Sequence, residues 1–469
     1  MLLLFPRYSK YIWHSSFGIH RFLRVGAPMR QRRRSSVELS PEFTKRDDRR
    51  KKSKASNICC CVILLFVSIP CFIAMMNFIA WRLAKKELVS DETVEILPSY
   101  GYQLKPEDPF WTLHINAVVY RSGNSDYLKR MFLDTMVSFL SSYYAEYDIS
   151  VLRNRFSLFL RDFQRGKYVN LSVCFLDPHL YWKHCKSTES AASLVSIGPT
   201  QEDGLVNSKL QIKSLDKYSN KTEVFVYTDG RKRIEPTSIG QLQDRIARLS
   251  LIPYDGLSVI SDIDDTIKTT NVGNVRKVLE ATFFKDFMLV PEVFNLYNSW
   301  LTGMDGSIHF HYVSSSPWLL ANLLFDWIKT AKLPVGSIHL KKFRLELFEP
   351  WGIDLSLLNL FKSPVGYKIK KIKNILLDFP GRIFILVGDS SEKDPEIYGQ
   401  IAREYPDQII CTLIRNCPHR LIDRIDPKRL ERAFYNVPSI KYGLVTAESS
   451  TKGHFFDIKS MLKSRSCAS

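Results

Sequence analysis

Residues 257–266 read Leu-Ser-Val-Ile-Ser-Asp-Ile-Asp-Asp-Thr, a short apolar run that ends abruptly in carboxylates. A run of this length, rich in aliphatic residues and closed by polar ones, reads as a buried strand. Stability does not account for its end. Asp262, Asp264 and Asp265 repel one another, and each loses solvation on burial. A bound cation would offset both penalties. In an open α/β sheet, ligands bind outside the carboxyl ends of the strands, so this position suits a metal-assisted phosphoryl site.

The chain after residue 250 repeats the same grammar of strand, loop and helix. Residues 308–313 form an apolar run that ends in Ser314, Ser315 and Ser316, and Pro317 then opens a helix where its missing N–H is tolerated. Residues 383–387 end in Gly388 and Asp389, with Asp394 and Pro395 at the next helix start, and residues 409–414 make a further strand. Short apolar strands alternating with amphipathic helices predict a three-layer α/β domain on a parallel sheet. Such a sheet gathers its strand ends, and therefore Asp262, Ser314 and Asp389, along one rim.

At 469 residues the chain is long enough for two globular units plus extensions. Its formal charge is +18, yet residues 1–57 hold 15 Lys or Arg against 4 Asp or Glu, so most of the excess belongs to the amino-terminal segment. Basic residues are not spread over a folded face, which argues against a nucleic-acid partner. Residues 58–81 are 24 consecutive uncharged residues, against the roughly 20 a membrane-crossing helix needs. They predict a single transmembrane helix, preceded at 1–57 by a basic, presequence-like targeting segment. The expected location is the mitochondrial inner membrane, with the endoplasmic reticulum membrane as the alternative. Strand-like runs at 111–120, 168–176 and 222–227 predict a β-rich accessory domain over 95–250, with 186–220 as a polar excursion. The catalytic domain is expected over 251–445 and a tail over 446–469. Cys174, Cys185, Cys411, Cys417 and Cys467 are scattered without a zinc-like spacing; Cys411 and Cys417 could pair but read as free thiols.

Each polar residue on the predicted rim suits one task in cleaving a phosphate monoester, a reaction so slow in water that enzymes supply up to about 10²¹ in rate. Asp262 is the candidate nucleophile. Asp264 projects to the same side of an extended strand as candidate acid and base, which requires a pKa above the ordinary value of about 3.9. Mg²⁺, a hard ion that prefers oxygen ligands, would be held by Asp262, Asp264, Asp389 and Asp394. Ser314 offers a hydroxyl to the phosphoryl oxygens, Lys368 a charge to stabilise the transition state, and Thr266 either orders the loop or meets substrate.

These residues resemble the four sequence motifs of the haloacid dehalogenase superfamily of phosphotransferases. They stand here as Asp262-Ile-Asp264-Asp265-Thr266, Ser314 after its strand, Lys368, and Gly388-Asp389 followed by Asp394. The segments around Phe310 to Trp318 and Val387 to Tyr398 are more narrowly similar to the catalytic domain of the actin-patch-protein type of fungal phosphatidate phosphatase. That resemblance implies Mg²⁺-dependent conversion of phosphatidate, a phospholipid in a membrane, to diacylglycerol. The intervals between Thr266 and Ser314 and between Ser316 and Lys368 are too short for a large cap domain, and an uncapped site suits a bulky substrate. A phosphoprotein or small-metabolite phosphatase on the same scaffold and a non-catalytic membrane adaptor are the alternative expectations.

Overall fold

Alternation of buried and exposed positions builds the first sheet. The computed structural model describes residues 88, 91–121, 127–143, 146–175, 191–213, 222–228, 246–304, 307–342, 365–417, 426–446 and 456–467. In chain order the sheet takes β1 (Glu92–Leu97), β2 (Tyr100–Tyr102), β3 (Phe110–Arg121), β4 (Asp162–Phe163), β5 (Val169–Cys174), β6 (Ala191–Ile197), β7 (Leu205–Lys213), β8 (Glu223–Thr228) and β9 (Ile246–Ile252). Their order is β1-β3-β2-β9-β8-β5-β6, with β4 and β7 also paired to β3. Along β3 the period-two pattern sends Leu113, Ile115, Ala117 and Val119 into one apolar cluster, while Val118 faces another.

The second sheet is entirely parallel. Its strands β10 (Gly256–Ser261), β13 (His309–Pro317), β14 (Gly336–Lys341), β15 (Arg382–Asp389), β16 (Ile409–Arg415) and β17 (Tyr442–Val445) run in the order β14-β13-β10-β15-β16-β17. Two-residue strands β11 (Lys268–Thr269) and β12 (Met288–Leu289) form a separate antiparallel pair. Both faces of the parallel sheet are covered, as parallel sheets require. Leu257, Val259, Ile385 and Val387 pack on one side with Val293, Leu296 and Trp300 of the helix Pro291–Gly303 and with Leu324 and Ile328 of Ala321–Thr330. Ile260, Phe384 and Leu386 pack on the other with Ile372 and Ile375 of Val365–Asp378 and with Ile397 and Ile401 of Asp394–Glu404. The expected three-layer α/β arrangement is therefore present, with β10 at its centre.

Residues Trp81–Ser469 form one compact unit. The first sheet is tied to the second where Tyr100 Oη donates to Asp378 at 2.8 Å and Lys209 Nζ reaches the same carboxylate at 2.6 Å. Beside them the buried Tyr100 ring meets His311 edge-on.

Several expectations change. The excursion at 186–220 contains β6 and β7. On β7 the outward positions Asn207, Lys209, Gln211 and Lys213 are exposed, so its composition reads as loop although its backbone pairs with β3 from end to end. Residues 456–467 are anchored: Asp457 caps the helix Ile458–Ser464, Trp300 Nε1 donates to the Phe456 carbonyl, and Cys467 is disulfide-bonded to Cys411. Cys411 is thus neither a free thiol nor paired with Cys417, and Cys174 is also disulfide-bonded. Among the described residues Cys417 remains reduced. The single-pass placement in the mitochondrial inner membrane, or in the endoplasmic reticulum membrane, is also corrected. Among the described residues no helix is long and apolar enough to cross a membrane. The targeting segment 1–57 and the run 58–81, on which that placement rested, lie outside the described residues.

Candidate active site

The parallel register carries the carboxylates to one rim. Ser261 pairs with Val387 across β10 and β15, the Asp262 N–H continues that ladder to the Val387 carbonyl at 2.9 Å, and Asp389 ends β15 one turn of pleat further on. Asp262, Asp389 and Asp394 are all buried, with one ligand oxygen from each lying within 4.8 Å of the others. Lys368, buried in the first turn of the helix Val365–Asp378, donates to Asp262 Oδ1 at 2.8 Å and Asp394 Oδ1 at 2.7 Å, with Glu392 at 3.4 Å. Thr266 Oγ1 donates to Asp262 Oδ2 at 3.2 Å, so its hydroxyl orients that carboxylate.

The donor set fits a divalent cation. Asp389 Oδ1 accepts from the Ser391 and Glu392 amides, but its buried Oδ2 has no hydrogen-bond partner. An orphaned buried carboxylate oxygen is expensive unless a further group, such as a metal, meets it. The charges agree. Burial drives the Asp262 carboxyl well above its ordinary range against the pull of Lys368, with Asp394, Asp389 and Glu392 adding to the rise. Burial, then Asp394 and Glu392, push Asp389 up to about 8. Lys368 alone cannot balance these acids, and all the oxygens on offer are hard ligands suited to Mg²⁺.

Asp264 lies apart from that trio. Its carboxylate accepts from Lys268 Nζ at 2.8 Å, Thr270 Oγ1 at 2.8 Å, Ser314 Oγ at 2.9 Å and Ser316 Oγ at 2.6 Å. Burial would raise its pKa, but the Lys268 ammonium and the donated hydrogen bonds outweigh burial and hold it below the ordinary carboxylate range. The raised pKa that the acid role requires is absent because Lys268 and the donated hydrogen bonds prevail over burial. Ser314, for its part, is spent on Asp264 and on accepting the Ser316 amide at 2.9 Å.

Sequence reasoning missed Lys268, Ser316, Ser391, Glu392 and the structural task of Asp265. Lys268 stands four residues after Asp264 and Ser316 two after Ser314, so both carried a local signal. Asp265 is buried with φ of 56°, and its carboxylate accepts from the amides of Thr270, Asn271 and Val272 at 2.7 to 2.8 Å.

Gly388 is required by close approach. A Cβ there would stand 2.5 Å from Asp394 Oδ2 and 2.6 Å from the Tyr398 ring, and both neighbours are buried. Gly388→Ala should therefore displace Asp394 and lower turnover by about 10², the loss expected for a misplacement near 1 Å. The Mg²⁺ concentration for half-maximal phosphate release should rise with it; an unchanged Mg²⁺ requirement would contradict this geometry.

Comparison with known proteins concerns one segment of the chain. Residues 257–416 match the family model described as Phosphatidate phosphatase APP1, catalytic domain. The Phosphatidate phosphatase APP1 of Saccharomyces cerevisiae is 38% identical over 173 residues, which is 36% of this chain and 27% of that protein. An uncharacterized protein of Schizosaccharomyces pombe is 29% identical over 176 residues, again 36% of this chain and 27% of the relative. Among solved structures, a ferredoxin-NADP+ reductase from Plasmodium falciparum aligns at 10% identity over 76% of this chain and 95% of that one, with a TM-score of 0.14 that carries no argument. The chain thus spans about a quarter of the length of the curated relatives it matches. For residues 257–416 the family resemblance read from the motifs is shown.

Proposed function

We propose that this chain is a Mg²⁺-dependent phosphatidate phosphatase, releasing phosphate from phosphatidate and leaving diacylglycerol through an aspartyl-phosphate at Asp262. In this reading residues 251–445 are a haloacid-dehalogenase-like catalytic domain without a large cap, and residues 95–250 are its β-rich accessory domain. The observation that supports it most directly is the buried trio of Asp262, Asp389 and Asp394 around Lys368, with Asp389 Oδ2 unsatisfied. It lies within the segment that matches the family's catalytic domain.

Bound Mg²⁺, held by Asp262, Asp389 and Asp394, would neutralise phosphate charge that otherwise repels an anionic nucleophile. Thr266 orients the Asp262 carboxylate, and Lys368 fixes it by a hydrogen bond and favours its charged form against burial; bound Mg²⁺ would add to that pull. Asp264 is assigned the proton transfer. Its charged state suits activation of water in the second half-reaction. The first half requires it to carry a proton, taken from solvent, to the leaving oxygen; the Lys268 ammonium at 2.8 Å favours the charged form and so works against that step. Ser314 and Ser316 hold Asp264 in line.

The full chain, assayed on phosphatidate in detergent micelles, should release phosphate with millimolar Mg²⁺ and stop when the metal is chelated. Release from phosphopeptides or small phosphate esters but not from the lipid would select the phosphoprotein or metabolite phosphatase instead. No release from any phosphoester would leave the adaptor reading.

A further inference from the structure

We propose that Arg415, at the end of β16 and outside the four motifs, is a positioning residue that locks the nucleophile loop in its productive shape. The inference rests on the reading of Asp262 and Asp264 as the reacting groups. Arg415 is buried, and its backbone lies opposite Asp389 in the β15–β16 register, with its carbonyl accepting the Ser390 amide at 3.0 Å. Its guanidinium reaches across the rim. Nε donates to Glu292 Oε1 at 2.6 Å, in the first turn of the helix Pro291–Gly303, while Nη1 donates to the Asp265 carbonyl at 2.8 Å and lies 3.4 Å from Cys417 Sγ.

Asp265 is the point that needs holding. Between Asp264 and Thr266 the chain turns through a left-handed residue, a conformation unfavourable for a side chain other than glycine's. A second left-handed residue, Asn271 with φ of 60°, closes the same loop. The Asp265 carboxylate gathers the amides of 270–272, but its carbonyl direction sets the turn, and Arg415 fixes that carbonyl from a strand 150 residues away. Glu292 in turn fixes Arg415. The fork geometry matters: a lysine ammonium offers a charge but not two rigidly separated N–H vectors.

Arg415→Met should lower kcat on phosphatidate by about 10² with KM within about twofold, because substrate contacts stay while the two aspartates lose register. Arg415→Lys should recover only part of that loss, and Glu292→Gln, which keeps the shape of the partner, should lower kcat less than Arg415→Met. Hydrogen exchange gives an arm independent of activity. The amides of Thr270, Asn271 and Val272 should lose protection in Arg415→Met and in Arg415→Lys, while β15 and β10 keep theirs. If the wild-type chain were inert on phosphoesters, the phosphatase activity would be ruled out, and exchange would still decide the role of Arg415. Unchanged protection at 270–272 in a folded Arg415 variant, or kcat within twofold of wild type, overturns the proposal.

Discussion

Asp262→Asn is expected to reduce phosphate release from phosphatidate by at least about 10⁴-fold, the scale on which removal of a nucleophile acts, without unfolding the protein. The amide lacks the anionic oxygen that attacks phosphorus, so no covalent intermediate forms. The fold should survive for an electrostatic reason. Asp262 is buried among Asp389, Asp394 and Glu392, and burial already drives its pKa well up, so the native state gains little from this charge. Lys368 would keep Asp394 and Glu392 as partners, and the amide oxygen can still accept from it. Thermal unfolding of the variant should therefore occur at or above the wild-type midpoint. Turnover above a tenth of wild type would remove Asp262 from the chemistry; a lowered midpoint would show that its charge supports the fold.

Lys368→Met should do the opposite to stability and lesser, though still large, harm to activity. Lys368 is the buried cation facing Asp262, Asp394 and Glu392, and breaking a buried ion pair by removing one partner typically costs about 3–5 kcal/mol. Burial alone would lower the lysine's pKa, but Asp262, Asp394 and Glu392 more than reverse it and raise it well above its ordinary value. Without that charge the acids repel one another across a buried site. In metal-free buffer the variant should unfold at a clearly lower temperature than wild type, and millimolar Mg²⁺ should restore part of the difference by supplying charge to the same oxygens. Turnover at saturating Mg²⁺ should still fall by about 10²–10³, the usual consequence of losing a preorganised charge at the transition state. Two results would count against this account: a midpoint insensitive to the substitution, or a Mg²⁺ effect equal in variant and wild type.

Local sequence carried much of the architecture. Strand β10 was legible because five aliphatic or small residues, 257–261, run straight into Asp262, and a pattern of this kind depends only on neighbours. The same holds for β13, β15 and β16, whose apolar runs end in polar rim residues. Ser314, Lys368, Asp389 and Asp394 could be picked out by their order along the chain. Elsewhere local pattern misled. β7 pairs fully with β3 yet presents Asn207, Lys209, Gln211 and Lys213 to solvent, and a half-exposed strand has the composition of a loop. The apolar length of 58–81 satisfied a necessary condition for a membrane span, and the organelle was read from the basic segment 1–57, whose residue chemistry alone does not specify it.

The amino-acid order by itself determined that a parallel α/β sheet forms and that its rim bears clustered carboxylates, because strand and helix periodicity and the repulsion among nearby acids are properties of adjacent residues. Only the tertiary structure decided which partners those carboxylates meet. Lys268 claims Asp264 and leaves Asp262, Asp389 and Asp394 to share Lys368. Arg415 reaches Asp265 across 150 residues, and Cys467 finds Cys411 across 56. Contacts of that range are set by packing of the two sheets and their helices, and a hydrogen bond or disulfide forms wherever packing brings donor to acceptor or sulfur to sulfur, whatever their separation along the chain.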